Sequence, residues 1–376
     1  MRKRLQIIYR LGVKELFSLR YDPVLVVLIL YTFTIAIYSV ATGVKIDVEN
    51  AAIAVADEDR SALSQRIVDG LRKPFFQLPA AIEIGAIDRA MDIGRFTFVV
   101  DIPPDFARDV VAGRRPAIQV NVDATAMSQA GNGARYIANI IAQESTIYLQ
   151  HNRPTPPAAV RVVDRVLFNP NQQSAWFMAV MQLIENITLL AIVLTGAALI
   201  REREHGTIEH LLAMPLKPID IMIAKMWANG LIIVVAAALS MWLMVEGVLG
   251  VPIRGSLLLF LGATALYLFS VTALGILLAT LVRSMPQFGL LAIPVFMVMN
   301  LLSGGTTPLD SMPRPLQLAM QLAPSTHFIA AAQAILFRGA GLALVWPQLA
   351  AVAAIGAGLF ALALLRFRRS LRLAQV

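Results

Sequence analysis

The sequence predicts an α-helical polytopic membrane protein with six transmembrane helices and a mixed α/β extracytoplasmic domain between the first and second helices. Of its 376 residues, 57% are apolar and only 15% are charged, whereas soluble domains carry about 25% charged residues. Six apolar runs can cross a hydrocarbon core of about 30 Å, which needs roughly 20 helical residues. One stretch, 42–175, instead has the balanced composition of a folded domain.

The basic excess lies in the apolar part of the chain. The net charge is +8, yet residues 42–175 carry 14 Lys and Arg against 15 Asp and Glu, which leaves 18 against 9 elsewhere. These cations lie at the ends of apolar runs without interleaved aromatic residues, which argues against a nucleic-acid partner. The positions of these basic residues are instead typical of a membrane protein, in which basic residues at the ends of spans set the orientation. The absence of cysteine excludes disulfides and thiolate chemistry.

Residues 1–22 are expected to form a cytoplasmic interfacial amphipathic helix, followed by the first transmembrane helix at 23–41. Pro23 lies in the first turn of that helix, where its missing N–H is not needed. The apolar run is too long for the core of a signal peptide, so we expect an uncleaved helix. The apolar residues of the interfacial helix share one face: Leu5, Ile8, Tyr9, Val13 and Leu16.

Residues 176–376 are expected to hold the other five spans, a cytoplasmic loop at 201–226 and an outer re-entrant-like loop at 303–344. Basic clusters end the spans on one side, so an even number of crossings predicts that both termini are cytoplasmic in a bacterial inner membrane. The 42–175 domain then lies in the periplasm. The predicted spans are Trp176–Ile200, Trp227–Val248, Leu257–Val282, Phe288–Leu302 and Val345–Leu365.

The periplasmic domain alternates strand and helix patterns. Its clearest strand is Arg95–Ile102, where apolar and polar residues alternate over the whole run. Asp57, Glu58 and Asp59 lack further ligands at calcium-loop spacing, so we interpret them as a solvated turn. Because no Ser/His/Asp constellation is visible, we expect this domain to contact a partner or substrate and not to catalyse a reaction.

The loop after the second span has the pattern of a short capped helix. Thr207 can cap it after the break at Gly206, Glu209 places negative charge in its first turn, and an apolar stripe ends before Pro215. Such a helix could bind lipid or enter a groove on a cytoplasmic partner, and a solvated turn is the simpler alternative. His205 and His210 are five residues apart, which does not fit a zinc motif. The stripe consists of Ile208, Leu211 and Leu212.

The loop after the second span has the pattern RERE-x-GT-x-E-x-L-x-x-x-P, which begins at Arg201 and ends at Pro215. This pattern closely resembles the coupling-helix signature of the ATP-binding-cassette (ABC) type 2 permease family. Lys14–Leu16 and Arg20–Pro23 resemble the amphipathic elbow of that family, and segments of 303–326 resemble its outer loop. The residues that match the outer loop, here called the outer gate loop, include Ser303, Gly304, Gly305, Pro308 and Pro313.

The resemblance implies two permease halves of six spans, each a copy of this chain or a paralogue, driven by two cytoplasmic ABC ATPase domains that dock on the loop. The branch with a large external domain exports drugs and works with periplasmic membrane-fusion proteins. The residues that the resemblance assigns to ATPase coupling are Glu202, Glu204, Gly206, Thr207, Glu209, Leu211, Leu212 and Pro215.

Polar residues inside the second span mark a candidate translocation path. Glu185 lies well inside the span, with Asn186 and Thr188 beside it. An acid at that depth is costly and by default faces a bundle interior or a water-filled path. It could bind a cationic substrate or move protons, or it could lie at a wetted outer vestibule or dimer seam, and the sequence leaves these alternatives open.

No phosphate-binding G-x-x-x-x-G-K-[ST] motif occurs, so we expect a transport subunit and not an enzyme, with no cofactor of its own and with ATP and Mg²⁺ in the partner. We expect it to export a hydrophobic or amphipathic compound such as a drug or lipid, and to contact membrane lipids. The alternatives are a membrane-anchored sensor or assembly protein acting through its periplasmic domain, and an ion-coupled transporter using Glu185.

Overall fold

The computed structural model divides the chain into two compact units. One unit combines Met1–Gly43 with Ala175–Val376, and the other is Val44–Ser174. The structure describes residues 2–43, 48, 50–72, 74–123, 127–152, 173–204 and 217–373.

Within these residues the chain is mostly helical, with one small sheet. The α-helices are α1 (Arg2–Arg20), α2 (Pro23–Phe33), α3 (Ile35–Gly43), α4 (Ala62–Gly70), α5 (Ile87–Asp92), α6 (Phe106–Val111), α7 (Met127–Asn152), α8 (Ser174–Glu204), α9 (Pro218–Ser240), α10 (Leu257–Leu281), α11 (Met285–Leu302), α12 (Arg314–Met320), α13 (Pro324–Leu336) and α14 (Leu342–Leu373). A π-helix covers Met241–Val248, and 3-10 turns cover Ile84–Ala86 and Leu309–Ser311. The strands are β1 (Ile53–Asp57), β2 (Ala80–Ala81), β3 (Phe98–Ile102) and β4 (Gln119–Val122).

Six helical segments in the described part of the chain are long and apolar enough to cross a membrane, which confirms the predicted number of spans. The third span begins earlier than expected, at Pro218 and not at Trp227, because the Asp220 carboxylate accepts the Lys217 N–H at 3.1 Å and so starts the helix. The segments are Pro23–Gly43, Ser174–Glu204, Pro218–Val248, Leu257–Leu281, Met285–Leu302 and Leu342–Arg369.

The first span is two helices and not the continuous helix that its apolar run predicts. Thr34 leaves the helical region, with φ −126° and ψ −81°, and separates α2 from α3. Hydroxyl groups bond two carbonyls beside the break. The Thr34 Oγ1 donates to the Leu30 carbonyl at 2.5 Å, and the Ser240 Oγ of α9 donates to the Phe33 carbonyl at 2.6 Å.

Helix α8 lies at the centre of the helical unit. Of its apolar stretch 83% is buried, against 17% to 50% for the other five spans. Small residues allow this close packing. A Cβ added at Gly275 of α10 would crowd the Ile192 carbonyl oxygen of α8, and one added at Gly196 of α8 would overlap the Phe288 ring of α11.

The Val44–Ser174 unit is built on a mixed four-stranded sheet in the order β2-β1-β3-β4. Strand β1 is parallel to β2 and β3, and β4 is antiparallel to β3. Alternate residues of β3 enter two cores, with Phe98 and Val100 on one face and Val99 on the other. The expected strand at Arg95–Ile102 thus begins at Phe98. The mixed α/β character is confirmed, whereas its periplasmic position stays a prediction.

Candidate functional site

The end of α8 carries four consecutive charged residues, Arg201 to Glu204, and each contacts a different part of the helical unit. Successive residues of an α-helix point about 100° apart, so four of them face most of the circumference. Because α8 is surrounded by other helices, each side chain meets a different neighbour. We call these four residues and their partners the α8 base.

Arg201 contacts the start of the first span. Its Nη1 lies 2.9 Å from the Asp22 Oδ2, while the Asp22 Oδ1 accepts the Leu25 N–H at 3.2 Å and caps α2. One carboxylate therefore fixes the direction of the chain where α1 meets α2 and also holds α2 against α8. A carboxylate at a helix N-terminus is favourable in addition because of the helix dipole.

Glu202 takes part in a buried triad that connects three helices. The Lys225 Nζ of α9 lies 2.8 Å from the Glu202 Oε1 and 2.9 Å from the Glu15 Oε1 of α1, and it donates to the Ala198 carbonyl at 3.3 Å. The Lys225 side chain is 3% exposed, against 16% for Glu202 and 20% for Glu15. One buried cation thus serves two carboxylates, and it is the centre of the α8 base.

Arg203 and Glu204 contact the turn between the fourth and fifth spans. The Arg203 Nη1 donates to the Val282 carbonyl at the end of α10, at 2.8 Å. The Glu204 Oε1 accepts the Met285 N–H at the start of α11, at 2.9 Å. Both bonds use backbone groups that a helix end leaves unpaired. The second and fifth spans are therefore joined at the base as well as by packing.

Helix α1 lies against α9 next to the triad. The Trp227 indole N–H donates to the Ile8 carbonyl at 3.3 Å, and its ring stacks on Tyr9 with centroids 6.0 Å apart. A Cβ added at Gly12 would overlap the indole ring, so the glycine permits this approach. At the end of this contact the exposed Arg4 pairs with the buried Asp220 at 3.2 Å.

Two of the eight residues assigned to ATPase coupling, Glu202 and Glu204, are thus bonded in the α8 base. The other six lie outside the described residues, and their role stays a prediction. Those six are Gly206, Thr207, Glu209, Leu211, Leu212 and Pro215.

The three polar residues of the candidate translocation path face different sides of α8. The Asn186 Nδ2 donates to the Thr32 carbonyl of α2 at 2.6 Å, and the Thr188 Oγ1 lies 2.8 Å from the Tyr267 hydroxyl of α10. Both side chains are buried and connect helices. Glu185 is only partly buried and faces Asn300 of α11.

Glu185 belongs to a half-exposed stripe along α8 that we call the α8 stripe. Its members recur every three or four residues, as one face of a helix requires. Gln182 in the stripe donates to the Asn186 Oδ1 at 2.9 Å, so the acid has amide neighbours within its own helix and on α11. The α8 stripe consists of Met178, Gln182, Glu185, Leu189 and Val193.

The outer gate loop follows α11 and turns back into short helices. The Ser303 Oγ lies 2.5 Å from the Ser325 Oγ at the start of α13, and both are buried. Gly304 has a φ of 89°, which favours glycine, and Gly305 lies close to Met181 of α8. The remaining two members, Pro308 and Pro313, begin the 3-10 turn and α12.

Between α11 and these outer helices lies an apolar cleft of about 470 Å³. Pro294 lies inside α11 at this level, where its ring removes one helical hydrogen bond. The opposite wall comes from α12 and the following turn, including Met320 and Leu322. A largely apolar molecule fits such a lining, since its polar contacts would be few.

Two residues of the candidate site, Lys225 and Asn300, were not predicted from the sequence. The sequence indicates only that Lys225 is a basic residue at the cytoplasmic end of a span, and its burial follows from its position a few residues inside α9. Asn300 lies in an apolar run with no local pattern. Among the described residues, no group of three His, Asp or Glu side chains could hold a metal ion.

Six apolar spans and a charged base define a multi-pass membrane protein whose centre is a packed helix. The chain belongs to the ABC-2 family of transporters, because the profile of ABC-2 family transporter proteins matches residues 23–365.

Individual relatives agree with this assignment. The chain is 52% identical to the inner membrane transport permease YhhJ of Escherichia coli K12, over 98% of this chain and 99% of the relative. It is 28% identical to the probable multidrug ABC transporter permease YbhR of the same strain, over 95% and 96%. A third relative there, the probable multidrug permease YbhS, is 25% identical over 79% of each chain.

The chain is therefore a membrane permease of an ABC transporter and a multi-pass protein of the inner membrane. Membrane subunits of this family are generally non-catalytic and in general work with a cytoplasmic ATPase.

Proposed function

We propose that this chain is the permease subunit of an ABC exporter and forms the path by which a hydrophobic or amphipathic compound, such as a drug or lipid, leaves the cytoplasm or inner leaflet. A separate ATPase, which holds ATP and Mg²⁺, docks on the loop around Glu202–Pro215. The observation that carries this proposal is the α8 base, in which four consecutive residues bond to four neighbouring parts of the bundle.

The α8 base offers a route for mechanical coupling. A displacement of the loop after Glu204 moves the end of α8, and the bonds of Arg201 to Glu204 pass that movement to α2, α9, α10 and α11. Packed helices have discrete arrangements and do not deform continuously. The nucleotide state of the ATPase then biases the bundle between two conformations, one open to each side.

The α8 stripe and the outward face of α11 supply the path. Leu290 is 78% exposed, Ile293 is 58% exposed and Met297 is 49% exposed in the single chain. A second permease, either a copy or a paralogue, covers these faces, and Glu185 with Asn300 lies at their edge. The acid then favours cationic amphiphiles, and the outer gate loop with its apolar cleft closes the exit.

The positions of the Lys and Arg residues support cytoplasmic termini, since basic residues accumulate on the cytoplasmic side. The Val44–Ser174 unit is then periplasmic. It contacts a membrane-fusion protein that continues the export route. The names of YbhR and YbhS, probable multidrug ABC transporter permeases, agree with a drug-like substrate.

Purification from native membranes in mild detergent tests the ATPase partner. A stoichiometric ATP-binding subunit is expected with the unaltered chain and with Leu78→Asp, a control at an exposed residue of the Val44–Ser174 unit. It is expected to be lost with Leu212→Asp, because a charge in the apolar stripe of the docking helix opposes burial.

Inside-out vesicles that contain the complex test the direction of transport. ATP should drive a cationic amphipathic dye into the vesicle lumen, and Leu212→Asp should abolish this uptake while the spans stay inserted. Normal uptake by that variant would refute the coupling assignment. Recovery of periplasmic partners alone, without an ATPase, would favour a sensor or assembly protein.

A further inference from the structure

A second apolar cavity of about 460 Å³ lies between the first and third spans, away from the α8 stripe. Leu16 of α1, the end of α2 with Thr34, and one long face of α9 and the π-helix line it, and we call it the elbow groove. From Leu231 to Met244 the groove follows about 20 Å of helix at 1.5 Å per residue. One leaflet supplies about 15 Å of the hydrocarbon core, so the groove is long enough for one whole acyl chain.

The break at Thr34 borders this groove, and the hydrogen bonds beside the break leave the groove chemically inert. Thr34 and Ser240 are the only polar residues among the thirteen that line it. Both hydroxyls already donate to backbone carbonyls, to Leu30 at 2.5 Å and to Phe33 at 2.6 Å. A ligand in the groove therefore contacts apolar groups, and neither hydroxyl is free to donate a hydrogen bond to it. This lining fits a hydrocarbon chain and does not fit a drug with polar groups.

The end of the groove next to α1 has the opposite chemistry. Trp227 lies one turn before Leu231, and its stack with Tyr9 is an aromatic pair of the kind found at headgroup depth. Arg20 follows Leu16 by one helical turn, so it shares the face of α1 that enters the groove, and it is exposed. Asp22, its nearest acidic neighbour in the sequence, bonds to Arg201.

We propose that the elbow groove is a site for a phospholipid with an anionic headgroup, taken from the leaflet next to α1. One acyl chain lies between α2 and α9, and Arg20 meets the headgroup phosphate. The bound lipid fills the space at the Thr34 break and supports the contact of α1 with α9, without being cargo.

Native mass spectrometry of the purified full chain, delipidated and titrated with phosphatidylglycerol or phosphatidylcholine, tests this proposal. We expect one phosphatidylglycerol to be retained per chain. Val235→Trp places an indole in the groove and should abolish retention. Leu362→Trp is the matched control, since Leu362 of α14 is 53% exposed and Val235 is 49% exposed.

The headgroup contact is tested separately. Because one cation near the membrane surface contributes a roughly fivefold preference for anionic lipid, Arg20→Gln should lower retention of phosphatidylglycerol about fivefold and leave phosphatidylcholine unchanged. Arg368→Gln, at an exposed cation of α14, should change neither lipid.

Three results would overturn the proposal. Equal retention by Val235→Trp and Leu362→Trp would exclude the groove, and equal retention of the two lipids would exclude an anionic headgroup. A photo-crosslinker at Val235 that joins two chains, instead of chain and lipid, would assign the groove to a second copy. These measurements need no ATPase, so their failure leaves the export proposal standing.

Discussion

Replacing Lys225 by methionine should destabilise the helical unit by far more than the loss of an ordinary ion pair. The side chain is 3% exposed, and its Nζ lies within 3 Å of both Glu15 and Glu202. Methionine keeps the volume and removes the charge, which leaves two carboxylates buried together. Removing one partner of a buried ion pair costs about 3 to 5 kcal/mol. Because both carboxylates keep some exposure, we expect the lower value, about 3 kcal/mol.

The chain offers a matched control between the same two helices. Arg4 of α1 pairs with Asp220 of α9, but the Arg4 side chain is 49% exposed. The Asp220 side chain is 7% exposed but keeps its bond to the Lys217 N–H at 3.1 Å when Arg4 is replaced. Because solvent screens the charge of Arg4, Arg4→Met should cost about 1 kcal/mol, less than Lys225→Met. The triple variant Lys225→Met, Glu15→Gln, Glu202→Gln removes all three charges and should recover most of the lost stability.

Unfolding in mixed micelles by increasing SDS, followed by tryptophan fluorescence, measures these differences. With Trp176, Trp242 and Trp346 replaced by phenylalanine in every variant, Trp227 reports directly on the contact of α1 with α9, because its indole bonds to Ile8 and stacks on Tyr9. The reasoning would be refuted if Lys225→Met unfolded at the same SDS fraction as Arg4→Met. It would also fail if the triple variant were no more stable than the single one.

Three further changes test the base, the elbow and the path. Gly12→Leu should separate α1 from Trp227, because any Cβ there overlaps the indole. In the chain that keeps Trp227 as its one tryptophan, the emission should shift to that of an exposed indole. Glu204→Ala should reduce ATP-driven transport several-fold more than Glu204→Gln, because glutamine keeps an acceptor for the Met285 N–H. Equal transport by the two variants in vesicle assays would contradict the role of this bond. Glu185→Leu should lower the uptake of cationic amphiphilic dyes about tenfold and leave the uptake of neutral dyes unchanged, because a desolvated charge contact of about 1.4 kcal/mol is lost. An equal loss of uptake for cationic and neutral dyes would exclude Glu185 from substrate selection.

The sequence predicts the spans well, because membrane insertion depends on local apolar length. It does not predict the break at Thr34, where neither glycine nor proline interrupts the run. Beside the break, the Phe33 carbonyl accepts the hydroxyl of Ser240, a residue far along the chain. Likewise the mixed sheet follows from alternating patterns, whereas the two-residue strand β2 is defined by its pairing with β1 and has no local pattern.

For the candidate site, the residue types were predictable and their partners were not. The sequence indicates that Glu15 and the residues Arg201 to Glu204 are charged groups next to apolar spans. Glu15 and Glu202 share Lys225 because three helices pack together, and no local sequence pattern predicts that packing. Glu185, Asn186 and Thr188 are adjacent in sequence, yet the helical turn sends only Glu185 to the half-exposed face.

The geometry of the α8 base limits how this protein can change over evolution. Arg201 to Glu204 meet their partners only because α8 is continuous from Ser174 to Glu204 and presents each residue in a fixed direction. A substitution alters one bond, but deletion of a single residue within α8 rotates all four side chains by about 100° and shifts them by 1.5 Å. A change in the length of α8 therefore breaks the four contacts together, because even seven residues, which restore the direction of the side chains, shift them by about 10.5 Å along the helix axis.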